Sequence, residues 1–344
     1  MILSNPLISI TVCVRNGAHW INSCMRAICS QEYRPLEVIA VDDGSTDGGY
    51  EILTEWEGEH QGIKVKILKQ QPLGLSAGRN LALENSSGEW VAITDIDCRP
   101  EPSWISEMYL VSSGNEGEDV FAVTGRTIFD EGETATSRLR AESIREKYSQ
   151  RPRITSLANG PCSMFKRKEL VRLGGFNPKW YHAEDMEVSL RIIQSGGVII
   201  HSASAVVRHV AESSLILFLR KRRRDARAHM RIRRIFGPHG VRKPNGEIHK
   251  HDFVSDAKEA IIVFPLFLFS LSLCAGMIWW YPQESFFWWL AIIGIAICCI
   301  FFVTNKRKLL LISWSVALWN GVLLGIIDAI LGIHGHTGLF QRNE

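Results

Sequence analysis

The chain has 344 residues, and its 39 Lys+Arg against 36 Asp+Glu give a formal net charge of +3. That length holds one large domain or two. The eight cysteines include no C-x-x-C pair and three lie in apolar runs, which argues against a zinc knuckle or a disulfide framework and suits a cytosolic head.

The charge is unevenly spread. Arg220–Arg234 holds nine Lys/Arg and one Asp, so the rest of the chain is net acidic. A basic block beside hydrophobic segments reads as attraction to anionic lipid. A nucleic-acid partner is not expected, because nothing else supplies a reader helix or a stacking surface. The N-terminus has no basic region ahead of its apolar stretch, so no signal peptide is expected.

In chain order, Leu7–Val14 is an apolar, β-branched run, the mark of a strand buried on both faces. A helical pattern follows over Ala18–Ser30, then a strand at Leu36–Val41, a helix at Asp47–Glu57, a strand at Ile63–Leu68, a helix at Ser76–Asn85 and a strand at Val91–Thr94. This alternation implies βαβ units and a parallel sheet. Glu131–Arg153 reads as a polar surface segment or lid. Asn159–Phe165 regains strand character, Arg167–Leu173 is a short helix, and Glu184–Ser195 is a helix stopped by Gly196-Gly197. Val198–His201 and Val206–His209 read as strands, and Pro238–Ala257 as a polar connector.

Ligands of such sheets bind beyond the carboxyl ends of the strands. Val14, Arg15, Asn16, Asp42, Asp43, Asp95, Ile96 and Asp97 all fall at those ends. Asp42 and Asp43, in Val41-Asp-Asp-Gly-Ser-Thr-Asp47, suit either a nucleoside's N–H and hydroxyl groups or an Asx turn capping the next helix. Asp95 and Asp97, one residue apart, suit Mg²⁺ or Mn²⁺ shared with a diphosphate. Arg79 could add positive charge beside the phosphates or be an ordinary helix-surface arginine. Glu184 and Asp185 open a helix, where acidic residues cap favourably. They equally suit a general base for an acceptor hydroxyl. His209, at a strand end, is a further metal contact or a structural histidine.

From Ile8 to about His209 the chain resembles the family-2 glycosyltransferases. The motifs occur in order: the opening strand, the acidic turn at 41–47, Ala77-Gly-Arg79-Asn80, Asp95-Ile-Asp97, and Gly174-Gly-Phe176 followed by Glu184-Asp185. The resemblance implies an α/β GT-A fold with a mostly parallel central sheet, and an inverting transferase using a nucleotide-diphosphate sugar. It implies Asp43 on the base or ribose, Asp95 on the nucleotide, Asp97 on the metal and Asp185 as catalytic base. Cys13 and Arg15 stand where many members carry Pro and Tyr, and Arg15 could stack on the base instead. The Q-x-x-R-W motif of processive synthases is absent after Glu184, which favours transfer of one sugar. A processive synthase and an inactive nucleotide-sugar-binding module are the alternatives.

Three runs lack Asp, Glu, Lys and Arg: Ala260–Gln283, Ser285–Asn305 and Leu309–Ile327. Each is near the ~18–20 residues that cross a bilayer as a helix. Lys306-Arg307-Lys308 between the second and third places that loop in the cytosol, on the same side as the head. Trp279, Trp280, Trp288 and Trp289 flank the opposite loop as interface anchors. The expected organisation is a catalytic domain at 1–212, a basic interfacial segment and connector at 213–258, about three transmembrane helices at 259–333 and a tail at 334–344. The protein is expected in the cytoplasmic membrane. Its acceptor is expected to be a polyprenyl-phosphate-linked sugar or a glycolipid, met by the basic surface of Arg220, Arg222, Arg223 and Arg224. The glycines of the third run also permit an interfacial or re-entrant segment.

Overall fold

The computed structural model of the chain describes residues 5–113, 119–180, 182–251, 258–280, 286, 289–290, 293–294 and 306–333. The second apolar run lies largely outside these residues, as do the loop before it and the tail.

The head is built on a nine-stranded sheet. The buried run of the N-terminus is β1 (Ile8–Val14), flanked by β2 (Leu36–Asp43) and β5 (Trp90–Asp95), both parallel to it. β4 (Ile63–Gln70) continues the parallel set beyond β2, and the short β3 (Gly58–His60) pairs antiparallel at that edge. On the other side β8 (Ser163–Lys166) runs antiparallel between β5 and β7 (Val120–Phe129). β9 (Val198–His209) lies parallel to β7, and β6 (Cys98–Pro100) pairs antiparallel with it at the far edge. The fold is thus α/β with its central strands parallel, as the alternating pattern predicts. β9 is one continuous strand where the sequence pattern reads as two, because the ladder with β7 absorbs the irregularity as a register shift near Thr124 and Arg126.

Helices cover both faces. Along β1 and β5, alternate residues serve opposite layers. Ile8, Ile10, Trp90 and Ala92 pack with α1 (Ala18–Cys29) and α4 (Trp104–Ser113). Val91 and Ile93 pack instead with Leu83 of α3 (Leu75–Glu84), and with Val188, Leu190, Ile192 and Ile193 of α7 (Glu184–Gln194). Two short helices, α2 (Gly49–Thr54) and α6 (Arg167–Arg172), complete the crossovers. This two-sided burial explains why the strands read as unbroken apolar runs.

The polar stretch 131–153 is not a free surface segment. It forms α5 (Ala135–Ser149), capped by the Thr134 hydroxyl, which accepts the Ser137 N–H. Ala141 and Ile144 pack on Phe129 of β7, and Leu139 joins a second cluster further along the chain. Charged residues dominate the composition of α5, and only its buried stripe reveals a docked helix.

The basic segment is α8 (Leu215–Phe236), capped by Ser214. It is tied to the head at both ends. Phe218 clusters with Leu139 of α5, and Ile232 and Phe236 enter the core beside Trp180 and Ile193. The connector folds into a hairpin, β10 (Gly240–Arg242) with β11 (Ile248–Lys250).

α9 (Lys258–Trp280) and α10 (Lys306–Ile330) carry the first and third apolar runs. Among the described residues one helix, Arg307–Ile330, is long and apolar enough to cross a membrane, and a shorter apolar stretch covers Glu259–Ser270. α10 runs lengthwise along α8. Phe218 meets Trp314 edge-on at 5.3 Å, Arg227 binds Asp328 through two hydrogen bonds of 2.7 Å, and Arg234 donates to the Ile333 carbonyl at 2.6 Å. Gly321 makes this approach possible, since a Cβ there would strike the Arg223 carbonyl. The outer face of α10 exposes Leu309, Val316, Leu323 and Ile330, one every seven residues.

Candidate active site

The strand register sets the site. Val14 pairs with Asp42, Cys13 with Asp95, and Asp43 with Gln70, so these carboxylates emerge at one level of the sheet. The side chains of Val14 and Ile96 point into the core, which leaves only their backbone for a ligand.

The two aspartates of the first acidic turn divide their work. Asp42 accepts from the Gly44 and Ser45 N–H groups at 3.2 Å, which is the turn-capping role. Asp43 accepts from Gln70 Nε2 at 2.7 Å, from Leu73 N–H at 2.8 Å and from Gly74 N–H at 2.9 Å. It therefore fixes the loop between β4 and α3. Arg15 lies 3.9 Å from Asp43 and is half exposed. Asn16, with φ +53°, braces the neighbouring loop: its N–H donates to Ser45 Oγ at 3.1 Å and its Oδ1 accepts from Thr46 N–H at 2.8 Å.

Arg79 is no surface arginine. It projects from α3, is only 3% exposed, and donates to Asp95 Oδ1 at 3.0 Å and to Glu184 Oε1 at 2.7 Å. Its guanidinium lies 5.4 Å from the centre of the Phe176 ring. One buried cation thus joins β5, α3 and α7. Burial pushes the Glu184 carboxyl up to about 7; Arg79 opposes this shift and the adjacent Asp185 adds to it.

Asp185 sits beside that pair, partly exposed. Its Oδ2 accepts from the Gly160 N–H at 3.0 Å and its Oδ1 from the Met186 N–H at 2.8 Å. It therefore satisfies one amide of the first turn of α7 while keeping a fixed orientation. Burial raises its pKa, against the pull of Arg79 and of the two N–H groups. The preceding Ala183 holds φ +59°, a left-handed conformation that an alanine adopts at a cost of roughly 1 kcal/mol, and it sets the entry of α7 into the site.

Asp97 stands on the turn between β5 and β6. Its Oδ2 is 3.3 Å from His209 Nε2, and Cys98 completes a cluster whose possible ligand atoms lie within 4.8 Å of one another. His209 Nδ1 is 2.8 Å from the Val210 carbonyl and must donate to it, so Nε2 presents a lone pair to a carboxylate oxygen. Two lone pairs at that distance need a proton or a cation between them. Burial raises the Asp97 pKa, His209 opposes the shift, and Asp95 adds to it. Asp97 and His209 are thus a fitting donor pair for a divalent cation. The Cys98 thiol is held protonated by burial, well above its ordinary pKa. Asp95, expected to share the metal, lies outside this cluster because Arg79 engages one of its oxygens.

Of the four basic residues expected to face the acceptor, Arg220 is exposed. Arg222 is buried and bridges to Asp225 at 3.0 Å, Arg223 lends its carbonyl to the α10 contact, and Arg224 lies 3.9 Å from Asp225. Sequence reasoning missed the Gly160 amide and the Leu73 and Gly74 amides. Backbone donors carry no side-chain signature, and only Gly74, next to Pro72-Leu73, marks a turn in the sequence.

The model for glycosyl transferase family 2 matches residues 9–174. The glycosyltransferase AglE of Haloferax volcanii is 28% identical over 212 residues, covering 60% of this chain and 67% of its own length. The cholesterol galactosyltransferase of Borreliella burgdorferi is 31% identical over 102 residues, covering 30% of this chain and 28% of its own. The mannosyltransferase PcManGT from Pyrobaculum calidifontis, solved in complex with GDP-Man and Mn2+, superposes with a TM-score of 0.66 at 22% identity. That superposition covers 95% of this chain and 88% of the other, and shows the shared GT-A fold. The chain spans about two thirds of the first of these sequence relatives and under a third of the second. The ordered motifs, the sheet they frame and the matched segment agree: residues 9–174 match glycosyl transferase family 2.

Proposed function

We propose that the protein is an inverting glycosyltransferase that moves one sugar from a nucleoside-diphosphate sugar to a lipid-borne acceptor at a membrane surface. The observation that carries this reading is the convergence of Asp95, Glu184 and Asp185 around Arg79. Arg79 would pair with a diphosphate oxygen while staying charged, because two carboxylates already hold it in place. Asp97 and His209 would hold Mg²⁺ or Mn²⁺, which when bound supplies charge neutralisation for the departing diphosphate. Asp185 would take the proton from the acceptor hydroxyl as that oxygen bonds to the anomeric carbon and the nucleoside diphosphate leaves. A single displacement inverts the centre. Asp185 suits this role because its raised pKa makes it a stronger base than an ordinary aspartate.

The membrane part rests on the C-terminal helices. α9 is pinned to α10 near its start, and further along it exposes Leu266, Phe269, Leu273, Trp279 and Trp280. α10 lies alongside a helix that is itself docked on the head at both ends. A spanning α10 would drag the arginines of α8 into the bilayer, at a cost of ~2.5–3.5 kcal/mol each at its centre. We read α10 as an in-plane helix with its apolar stripe in the lipid interface, and α9 as the start of the membrane anchor. The lipid acceptor is also supported by the cholesterol galactosyltransferase relative, whose name gives it a lipid substrate.

The test is a screen of nucleotide sugars with the full chain in nanodiscs. With the right donor, Mn²⁺-dependent release of nucleoside diphosphate should rise at least tenfold on adding a total lipid extract, with sugar recovered in the organic phase. Equal transfer to water-soluble glycans contradicts the lipid acceptor, and no release with any donor contradicts the transferase.

A further inference from the structure

Behind the catalytic centre lies a cavity of about 360 Å³, walled by α5, α7 and α8 on one side and by α9 and α10 on the other. Its volume is in the range of small-molecule sites. Its lining joins two chemistries. Arg140, Arg222 and Arg233 contribute cations, with Asp225 as the one carboxylate in the lining among the described residues. Trp314, Leu318 and Val322 of α10, with Ile261 of α9, form an apolar wall. Arg222 is 91% buried by its 9% exposure, and although its terminal nitrogen bridges to Asp225, its Nε has no hydrogen-bond acceptor among the described residues. A buried guanidinium N–H left without an acceptor is costly and calls for an anion.

The cavity also reaches the chemistry. Met186 forms part of its wall, and the N–H of Met186 is the group that orients Asp185. Lys221, next to Arg222 on α8, is close enough to Asp97 to pull its pKa down. The cavity is thus bounded by the helix that carries Asp185 and by the two apolar C-terminal helices.

We propose that this cavity seats the acceptor. The occupant is a phosphorylated lipid, with its phosphate or diphosphate against Arg222 and Arg140 and its hydrocarbon chain along Trp314, Leu318 and Val322. The proposal rests on the transferase reading above and adds the place and polarity of the second substrate. An uncharged glycolipid would leave the Arg222 Nε–H without an anionic acceptor, and a soluble phosphorylated sugar would leave the α10 wall uncovered.

The experiment measures binding of three probes to the full chain in nanodiscs of uncharged lipid: farnesyl diphosphate, inorganic diphosphate, and phosphatidylglycerol added to the disc. The cavity places Trp314 and Trp319 in its lining, so tryptophan fluorescence reports occupancy. Farnesyl diphosphate should saturate the signal, and inorganic diphosphate at the same concentration should not. Val322→Trp, which adds bulk to the α10 wall, and Arg222→Gln, which removes one buried cation, should each weaken binding at least tenfold while the protein still melts cooperatively. Saturation by phosphatidylglycerol instead supports the same site with a two-chain lipid. Binding unchanged in Val322→Trp, or saturation by inorganic diphosphate alone, overturns the proposal. Release of nucleoside diphosphate without any acceptor is measured in parallel. If the donor is cleaved but no lipid probe binds, only the cavity assignment fails. If lipid binds but no nucleotide sugar is bound or cleaved, the acceptor role falls with the transferase reading.

Discussion

Arg79 and Glu184, 105 positions apart in the chain, form a buried ion pair of 2.7 Å that locks α3 to the first turn of α7. The same guanidinium holds Asp95, so β5, α3 and α7 share one cation. Removing one member of a buried pair strands the other charge, at about 3–5 kcal/mol. Arg79→Met should therefore lower stability by about that amount and abolish donor binding. The double variant Arg79→Met with Glu184→Gln should recover part of the lost thermal stability without recovering turnover. A double variant as unstable as the sum of the singles contradicts the pairing.

Glu212 links the head to α8. Although burial alone would raise its pKa, Arg140, Lys221 and Arg222 together outweigh burial and lower it to about 2. A carboxylate with a depressed folded pKa stabilises the fold above its unfolded pKa of about 4.5, and that contribution fades as pH falls toward 2. Glu212→Gln should cost up to about 3 kcal/mol at pH 7. Its thermal midpoint should approach that of the wild type as pH drops below about 4.5. A gap between the two proteins that is independent of pH argues against the charge network.

The facing donors Asp97 Oδ2 and His209 Nε2, 3.3 Å apart, predict a cation-dependent stability. Mn²⁺ or Mg²⁺ should raise the melting temperature of the full chain, following mass action. In His209→Ala that stabilisation should weaken by at least tenfold in apparent affinity. Because Cys98 is held as the thiol, Cys98→Ser should leave metal affinity within a few-fold of wild type. Strong loss in Cys98→Ser reassigns the ligand set.

Much of this was legible in the chain, and the rest was hidden for identifiable reasons. The strands buried on both faces announced themselves as apolar runs, and the acidic residues at their ends marked the rim of the sheet where the candidate site is placed. The sequence did not say which aspartate of Asp42 and Asp43 caps the turn, because both side chains fit both roles and only the position of the loop at Leu73–Gly74 decides. Arg79 read equally well as a surface arginine, since its partners lie 16 and 105 positions away. α5 looked like a polar surface segment because its buried stripe is narrow among many charges. The third apolar run has the length of a crossing, and its seating on α8 through Gly321 and Arg227–Asp328, on which the in-plane reading proposed above rests, leaves no mark in the sequence.

The start of α9 is pinned by an unusual exchange of partners. Pro265 has no N–H to give the Ile261 carbonyl, and Trp319 Nε1–H of α10 donates to that carbonyl at 3.0 Å instead. The Ser315 hydroxyl likewise accepts the Phe264 N–H at 2.9 Å and donates to the Ala260 carbonyl. Trp319→Phe should destabilise the protein by about 1–3 kcal/mol, the usual cost of orphaning a buried acceptor. Adding Pro265→Ala, which restores the helical donor, should return part of that loss. No rescue by the second change contradicts this account of the pin.

The central claim is that Asp185, held by Gly160 and Met186, takes the acceptor's proton. The most direct measurement compares the Asp185→Asn variant with the wild type in two assays on the same preparation: nucleotide-sugar binding, and the pH dependence of sugar transfer. In the wild type, transfer should fall on acidification with a midpoint above that of an ordinary aspartate, because burial raises the Asp185 pKa and the base works only when deprotonated. Asp185→Asn should bind the donor within a few-fold of wild type and lose transfer by about 10²–10⁴-fold at every pH. Wild-type transfer by Asp185→Asn, with the same acid midpoint, would place the base on another residue and contradict the account.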